Sequence, residues 1–135
     1  DAHTFVGPQI SIADMAKIAE LGVRTIVIAR PESEEHGQPT VSDICAAADA
    51  HGINVHQIPV TPGNITTEDV QAFDVAMGDN PHPVLAYCRS GARATTLWAL
   101  SAASRGQSVE VIIDTAGKAG YDLRALAPRL VTSAA

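Results

Sequence analysis

Aromatic side chains are scarce in this sequence: one Trp, two Tyr and two Phe in 135 residues. A core with so few large rings has to close through small aliphatic side chains, and alanine is abundant along the helical stretches. Long apolar runs are missing as well. No stretch approaches the roughly 18–20 residues that cross a bilayer as a helix, so a membrane partner is not expected. Basic charge is in deficit, with nine Lys and Arg against fifteen Asp and Glu and a formal net charge of −6. Nucleic-acid and membrane-surface binders work through basic faces, which argues against both. Cysteine is limited to Cys45 and Cys88, too few for a disulfide framework. The five histidines (His3, His36, His51, His56, His82) have no metal-ligand spacing. No metal and no organic cofactor is expected. No signal peptide is read, so a cytoplasmic location is expected, although the chain opens at Asp1 rather than at a methionine.

What is present is an alternation of short apolar runs and helical patterns, with no internal repeat or linker. Thr4–Gly7 reads as an edge strand. Ser11 caps a helix to about Leu21. Arg24–Ala29 is a β-branched run suited to a strand buried on both faces. Arg30–Thr40 is a polar loop, and its acidic run Glu32-Ser33-Glu34-Glu35 reads as solvated. A helix covers Val41–Ala50, with Cys45 as a buried small hydrophobe. Ile53–Val60 is the next strand, and Thr61-Pro62-Gly63-Asn64 is a turn. Thr66 or Thr67 opens a third helix to about Met77. The strand Val84–Tyr87 follows, then a helical pattern from Ala94, a helix from Ser108 to about Ala116, and a last one over Tyr121–Leu130. This order predicts an α/β fold: one three-layer domain over residues 1–135, with a mostly parallel sheet of four to five strands flanked by helices.

The most informative stretch is Val84-Leu85-Ala86-Tyr87-Cys88-Arg89-Ser90-Gly91-Ala92-Arg93. A strand that runs through a glycine-containing turn into a helix points successive backbone N–H groups at one spot, at the positive end of the helix dipole. A thiolate from Cys88 at the mouth of that turn is stabilised by those donors and by a nearby guanidinium. Such a cradle suits nucleophilic attack on a phosphoryl group or a sulfane sulfur. Cys88 is therefore the candidate nucleophile and Arg93 the bidentate oxyanion clamp. Arg89, Ser90, Gly91 and Ala92 make up the anion-binding loop, with the Arg89 side chain at its rim. Ligands of parallel sheets sit at the carboxyl ends of strands, so Arg30 and Thr61 are candidate substrate contacts. For Arg30, a pair with Glu32, Glu34 or Glu35 is equally open.

The chain resembles the phosphatase-like domain of the beta-lactamase-hydrolase-like protein family, a bacterial branch related to dual-specificity and tyrosine phosphatases. The resemblance rests on Gly7-Pro8-Gln9-Ile10, Arg30-Pro31, Gly37-Gln38-Pro39, Ile58-Pro59-Val60-Thr61-Pro62-Gly63, Ala86-Tyr87-Cys88-Arg89-Ser90-Gly91-Ala92-Arg93 and Leu97-Trp98-Ala99-Leu100. It implies a cysteine-phosphatase-like fold, a phosphocysteine on Cys88, a phosphate clamp at Arg93 and a backbone cradle over Ser90, Gly91 and Ala92. The sequence departs from the ordinary tyrosine phosphatase pattern in four places. Four residues rather than five separate Cys88 from its arginine. Tyr87 replaces a histidine. Ala94 stands where a hydroxyl residue usually faces the thiolate, leaving Thr95 or Thr96 as substitutes. The turn Thr61–Asn64 has no aspartate to act as general acid, so Asp69 or Asp79 would have to approach.

Tyr87-Cys88-Arg89-Ser90-Gly91-Ala92-Arg93 also looks like the active loop of single-domain rhodaneses, which carry sulfur as a cysteine persulfide. A cysteine-dependent phosphatase-like hydrolase acting on a phosphate ester ranks first. A sulfurtransferase using a sulfur donor ranks second, and a non-catalytic phosphate-binding regulatory module third.

Overall fold

Thr25-Ile26-Val27-Ile28 forms strand β2, and all four residues are buried. β-Branched side chains suit a pleated surface, and burial on both faces fits a strand with neighbours on each side and helices above and below. The computed structural model describes residues 3–134; Asp1, Ala2 and Ala135 of the expected domain lie outside them. With β1 (Thr4–Gly7), β3 (Asn54–Gln57) and β4 (Val84–Tyr87), β2 makes a four-stranded parallel sheet in the order β1-β4-β2-β3. Thr25 is level with Asn54 on one side and Val84 on the other, and Ile28 with Gln57 and Tyr87.

Alternation along β2 divides its side chains between two cores. Val27 joins Phe73, Ala86, Leu97 and Leu100 on one face of the sheet. Ile26 and Ile28 join Met15, Ile44 and Tyr87 on the other. The second core is covered by α1 (Met15–Glu20) and α2 (Val41–Asp49). The first is covered by α3 (Thr67–Asp79), α4 (Ala92–Ser104), α5 (Val109–Lys118) and α6 (Ala127–Ala134). Helix α4 is the hub, packed against α3, α5 and α6 and buried from Leu97 to Ala103. Its small residues let three helices approach, which answers the shortage of aromatics. Hydroxyl caps start three helices, at Thr66 and Ser108 as the sequence implies and also at Thr40: Thr40, Thr66 and Ser108 accept from the N–H groups of Asp43, Asp69 and Val111 at 3.0, 3.1 and 3.2 Å. Among the described residues, no helix is long and apolar enough to cross a membrane.

Away from β4 and α4, three elements differ most from expectation. The strand expected over Ile53–Val60 shortens to Asn54–Gln57. It pairs only with β2, and beyond it Val60 N–H turns back to the Ile58 carbonyl at 2.8 Å. The first helix opens as a 3-10 turn over Ile12–Asp14. The last begins later than Tyr121: a 3-10 turn at Arg124–Leu126 precedes α6. Pro128 then falls in the first turn of α6, where a missing N–H breaks no helical bond.

Candidate active site

The carboxyl ends of the parallel strands share one edge of the sheet, and β4 delivers Cys88 there. Cys88 is fully buried. Gly91 caps α4 with a φ of 96°, a left-handed conformation that glycine adopts without a Cβ penalty. That turn aims the Gly91 N–H at Cys88 Sγ, 3.1 Å away. Helix α4 begins at Ala92, two residues before its expected start, so Arg93 belongs to the first helical turn. Ser90 Oγ accepts from Ala92 N–H at 3.4 Å and so shapes the turn. Neither threonine substitutes as a donor to the thiol: Thr95 and Thr96 donate to the Gly91 and Ala92 carbonyls at 2.7 and 2.9 Å. Both bonds are the back-bonds to the preceding turn that helical threonines commonly form.

Arg93 is held from two directions. Its Nη1 donates to Glu34 Oε2 at 2.8 Å and to the Val60 carbonyl at 2.7 Å, and its Nη2 donates to Glu34 Oε1 at 2.7 Å. A guanidinium has five N–H donors. These three bonds leave Nε–H and the second Nη2–H, which lie on one edge of the plane and form a second bidentate fork. The hydrogen bond to Glu34 raises the Arg93 pKa most, burial opposes it, and the neighbouring Cys88 side chain adds to it. Conversely, the Arg93 hydrogen bond holds the Glu34 carboxyl below the usual carboxylate range, against some desolvation and with Arg30 assisting.

Glu34 is among the partners expected for Arg30, but its pair with Arg93 was missed, because the acidic run reads as solvated and its residues are exposed. The loop is exposed and also tied down. Gln38 Oε1 accepts from Glu35 N–H at 3.2 Å, and Gln38 Nε2 donates to the Pro31 carbonyl at 2.9 Å. Glu32 accepts from Val41 N–H at 2.9 Å. The Gly37-Gln38-Pro39 motif was the available signal, since a glutamine between two turn residues is placed to staple a loop. Of the roles open to Arg30, the structure shows the ion pair. Arg30 is fully buried and donates to Glu34 at 3.0 Å and to Gln9 at 2.8 Å. Its Nη2 also lies 3.0 Å from Glu34 but is too bent to count as a hydrogen bond. Thr61 sits exposed on its turn, bridged to Asn64. Its neighbours Pro62 and Gly63 line a groove of about 490 Å³ with Arg89, Ser90, Ala92 and Arg93. Arg89 is exposed and pairs with Glu35 at 2.9 Å.

Tyr121, from beyond α5, was also missed. Its hydroxyl donates to the Ser90 carbonyl at 3.1 Å, and a Cβ on Gly91 would meet that hydroxyl at 2.0 Å. Neither candidate acid reaches the loop as a proton donor. Asp69 accepts from Thr66 N–H at 3.0 Å in a capping box. Asp79 ends α3 and lines a separate groove with His56 and Glu68. Among the described residues, no three His, Cys, Asp or Glu side chains gather as a metal would require.

Known proteins are similar to this chain along most of its length. A beta-lactamase hydrolase-like protein of Agrobacterium fabrum is 38% identical over 119 residues, 87% of this chain but 28% of that protein. The chain thus spans little more than a quarter of the curated relatives it matches. A crystal structure of a candidate phosphatase from Neisseria meningitidis superposes with a TM-score of 0.89 at 38% identity, covering 98% of this chain and 94% of that one. The catalytic core of the PP-IP phosphatase Siw14 from S. cerevisiae, solved with citrate, shares the fold at a TM-score of 0.65 and 17% identity, covering 98% and 84%. The family model for the beta-lactamase hydrolase-like protein, phosphatase-like domain, matches residues 2–105, a span that holds the whole sheet, the Glu34 loop, Cys88 and Arg93. On that match the chain belongs to the phosphatase-like domain family of the beta-lactamase hydrolase-like proteins.

Proposed function

We propose that this phosphatase-like domain hydrolyses phosphate monoesters through a Cys88 thiolate. The observation that carries the reading is a backbone N–H on Cys88 Sγ together with an Arg93 that neighbours the Cys88 side chain and has two donors beyond those taken by Glu34 and Val60. Cys88 Sγ attacks phosphorus in line. The S–P bond forms as the bond to the leaving oxygen breaks, and that oxygen departs with its electron pair. The loop N–H groups and the Arg93 fork hold the equatorial oxygens where charge accumulates. Water then attacks the phosphocysteine, releasing orthophosphate and restoring the thiolate. The reading concerns this domain, which is a fraction of the length of its relatives.

The test is rapid-mixing hydrolysis of an aryl phosphate. A burst equal to the enzyme concentration is expected from the phosphocysteine, and Cys88→Ser abolishes both burst and turnover. Turnover that survives Cys88→Ser removes the thiol from the mechanism.

Sulfur transfer is the second reading. It is favoured by the four-residue spacing between Cys88 and Arg93 and by the turn Thr61–Asn64, which has no carboxylate. In that chemistry Cys88 takes the outer sulfur of thiosulfate, releasing sulfite, and cyanide removes it as thiocyanate. No alkoxide has to be protonated. Intact-mass measurement after thiosulfate detects the added sulfur atom. A stable, cyanide-sensitive persulfide with no phosphate burst reverses the ranking.

A further inference from the structure

We infer that a second anion subsite, built by Arg129, lies beside the phosphate loop, and that the preferred ligand is a phosphate monoester carrying a second acidic group. The inference takes the position of the phosphoryl group from the function proposed above. The groove next to the loop, about 490 Å³, is bordered by three arginines: Arg89, Arg93 and Arg129. That concentration stands out in a chain with nine Lys and Arg and a net charge of −6.

Two of the three already have carboxylate partners. Arg89 pairs with Glu35 at 2.9 Å, and Arg93 lies 2.7 Å from Glu34, which it shares with Arg30. Arg129 makes no ion pair among the described residues. Its partner is neutral: Nη2 donates to the Ile65 carbonyl. That bond tethers the guanidinium to the groove wall and uses one of five donors. Four donors and a full positive charge remain at the groove. Pro62, Ile65 and Leu126 line the same groove as Arg93 and Arg129. Apolar lining together with an oxyanion clamp and an unpaired guanidinium in one groove fits a ring or short hydrocarbon linking two anions. A simple phosphate ester would leave Arg129 idle, and a cationic leaving group would be repelled by it.

Binding is measured apart from turnover. Calorimetric titration compares benzylphosphonate with 4-(carboxymethyl)benzylphosphonate, whose C–P bonds resist hydrolysis. The carboxylate-bearing probe is expected to bind about fivefold more tightly, the gain of one partly exposed ion pair. Arg129→Gln is expected to bring the two probes to near parity, and Arg129→Lys to keep part of the preference, because it retains charge without the fork. Arg105→Gln removes the same charge at the opposite end of α4 and is expected to keep the full preference. Equal affinities in the wild type overturn the subsite. So does a preference that survives Arg129→Gln, or one lost equally in Arg105→Gln. Hydrolysis of the matching aryl phosphates reads the catalytic proposal separately: discrimination between the phosphonates without hydrolysis removes the phosphatase reading and leaves the subsite standing.

Discussion

Glu34 does more for Arg93 than neutralise it. With the Val60 carbonyl it takes three donors and fixes which edge of the guanidinium faces the loop. Glu34→Gln keeps the side-chain size but offers one acceptor oxygen and an NH2 that opposes the guanidinium. Arg93 then loses its bidentate partner, and kcat/KM for an aryl phosphate is expected to fall about tenfold, within the range of a lost charge-assisted hydrogen bond. Iodoacetamide labelling of Cys88 is expected to persist, which separates misplacement of Arg93 from collapse of the loop. The pair also has a pH signature. Because the Glu34 carboxyl is held below its ordinary value of 4.5 in the folded protein, its contribution to stability is complete above that value. It is lost as pH falls through the lower folded value. The Tm difference between wild type and Glu34→Gln is therefore expected to be constant near neutrality and to shrink below about pH 4.5. A difference that grows on acidification contradicts the assignment. At the proposed clamp, Arg93→Lys keeps the charge and loses the planar fork. A drop in kcat of about 100-fold is expected, comparable to removing an oxyanion donor; a rate near wild type would reduce Arg93 to a charged helix residue.

The turn between β4 and α4 depends on an element that comes after both. Gly91 adopts a left-handed conformation, and the ring of Tyr121 occupies the space where a side chain would go. Gly91→Ala thus carries two costs: about 1–2 kcal/mol for left-handed backbone in an L-residue, and a collision with the Tyr121 hydroxyl. Thermal denaturation is expected to show a loss of at least that size together with loss of turnover. Gly91→Ala combined with Tyr121→Ala is expected to recover only part of the stability, since it relieves the collision but not the backbone. Full recovery would show that the conformation costs nothing. Tyr121→Phe removes a single bond to Ser90 and is expected to cost about 1 kcal/mol. This scale also marks what could be read in the sequence. The order strand, cysteine, glycine, arginine, helix is local, and turn chemistry and hydrophobic periodicity carry it. So are the caps at Thr40, Thr66 and Ser108. The partners that hold the site come from far along the chain: Glu34 is 59 residues from Arg93, and Tyr121 is 31 from Ser90. Nothing in the composition of a polar loop tells whether it folds back onto an arginine. Tyr87 looks like an odd neighbour for a nucleophile, yet it points into the second core, where burial pushes its hydroxyl up to about 12.

At the scale of the whole molecule, the distribution of carboxylates decides what chemistry the fold can support. Acidic residues outnumber basic ones, yet among the described residues the carboxylates with a claim to protonate a leaving group over Cys88 are paired or placed elsewhere. The turn after β3 has Thr61-Pro62-Gly63-Asn64 and no acid. Asp69 caps α3, and Asp79 closes the far end of that helix. Glu34 is near but is held ionised by Arg93, and Glu35 is paired with Arg89. A hydrolase with this arrangement relies on the leaving group's own acidity. Its rates are expected to fall steeply as leaving-group basicity rises, because an unprotonated alkoxide departs poorly. Across a series of substituted phenyl phosphates, log(kcat/KM) should decline with phenol pKa, and alkyl phosphates such as phosphoserine should be nearly inert. Solvent water delivers the proton only after the P–O bond is largely broken, so the slope should not change between pH 6 and 8. A flat dependence, or efficient hydrolysis of phosphoserine, would reveal a proton donor that moves into place when substrate binds. Release of Glu34 from Arg93 on phosphate binding is the first rearrangement to examine, and a steep slope appearing only in Glu34→Gln would identify it.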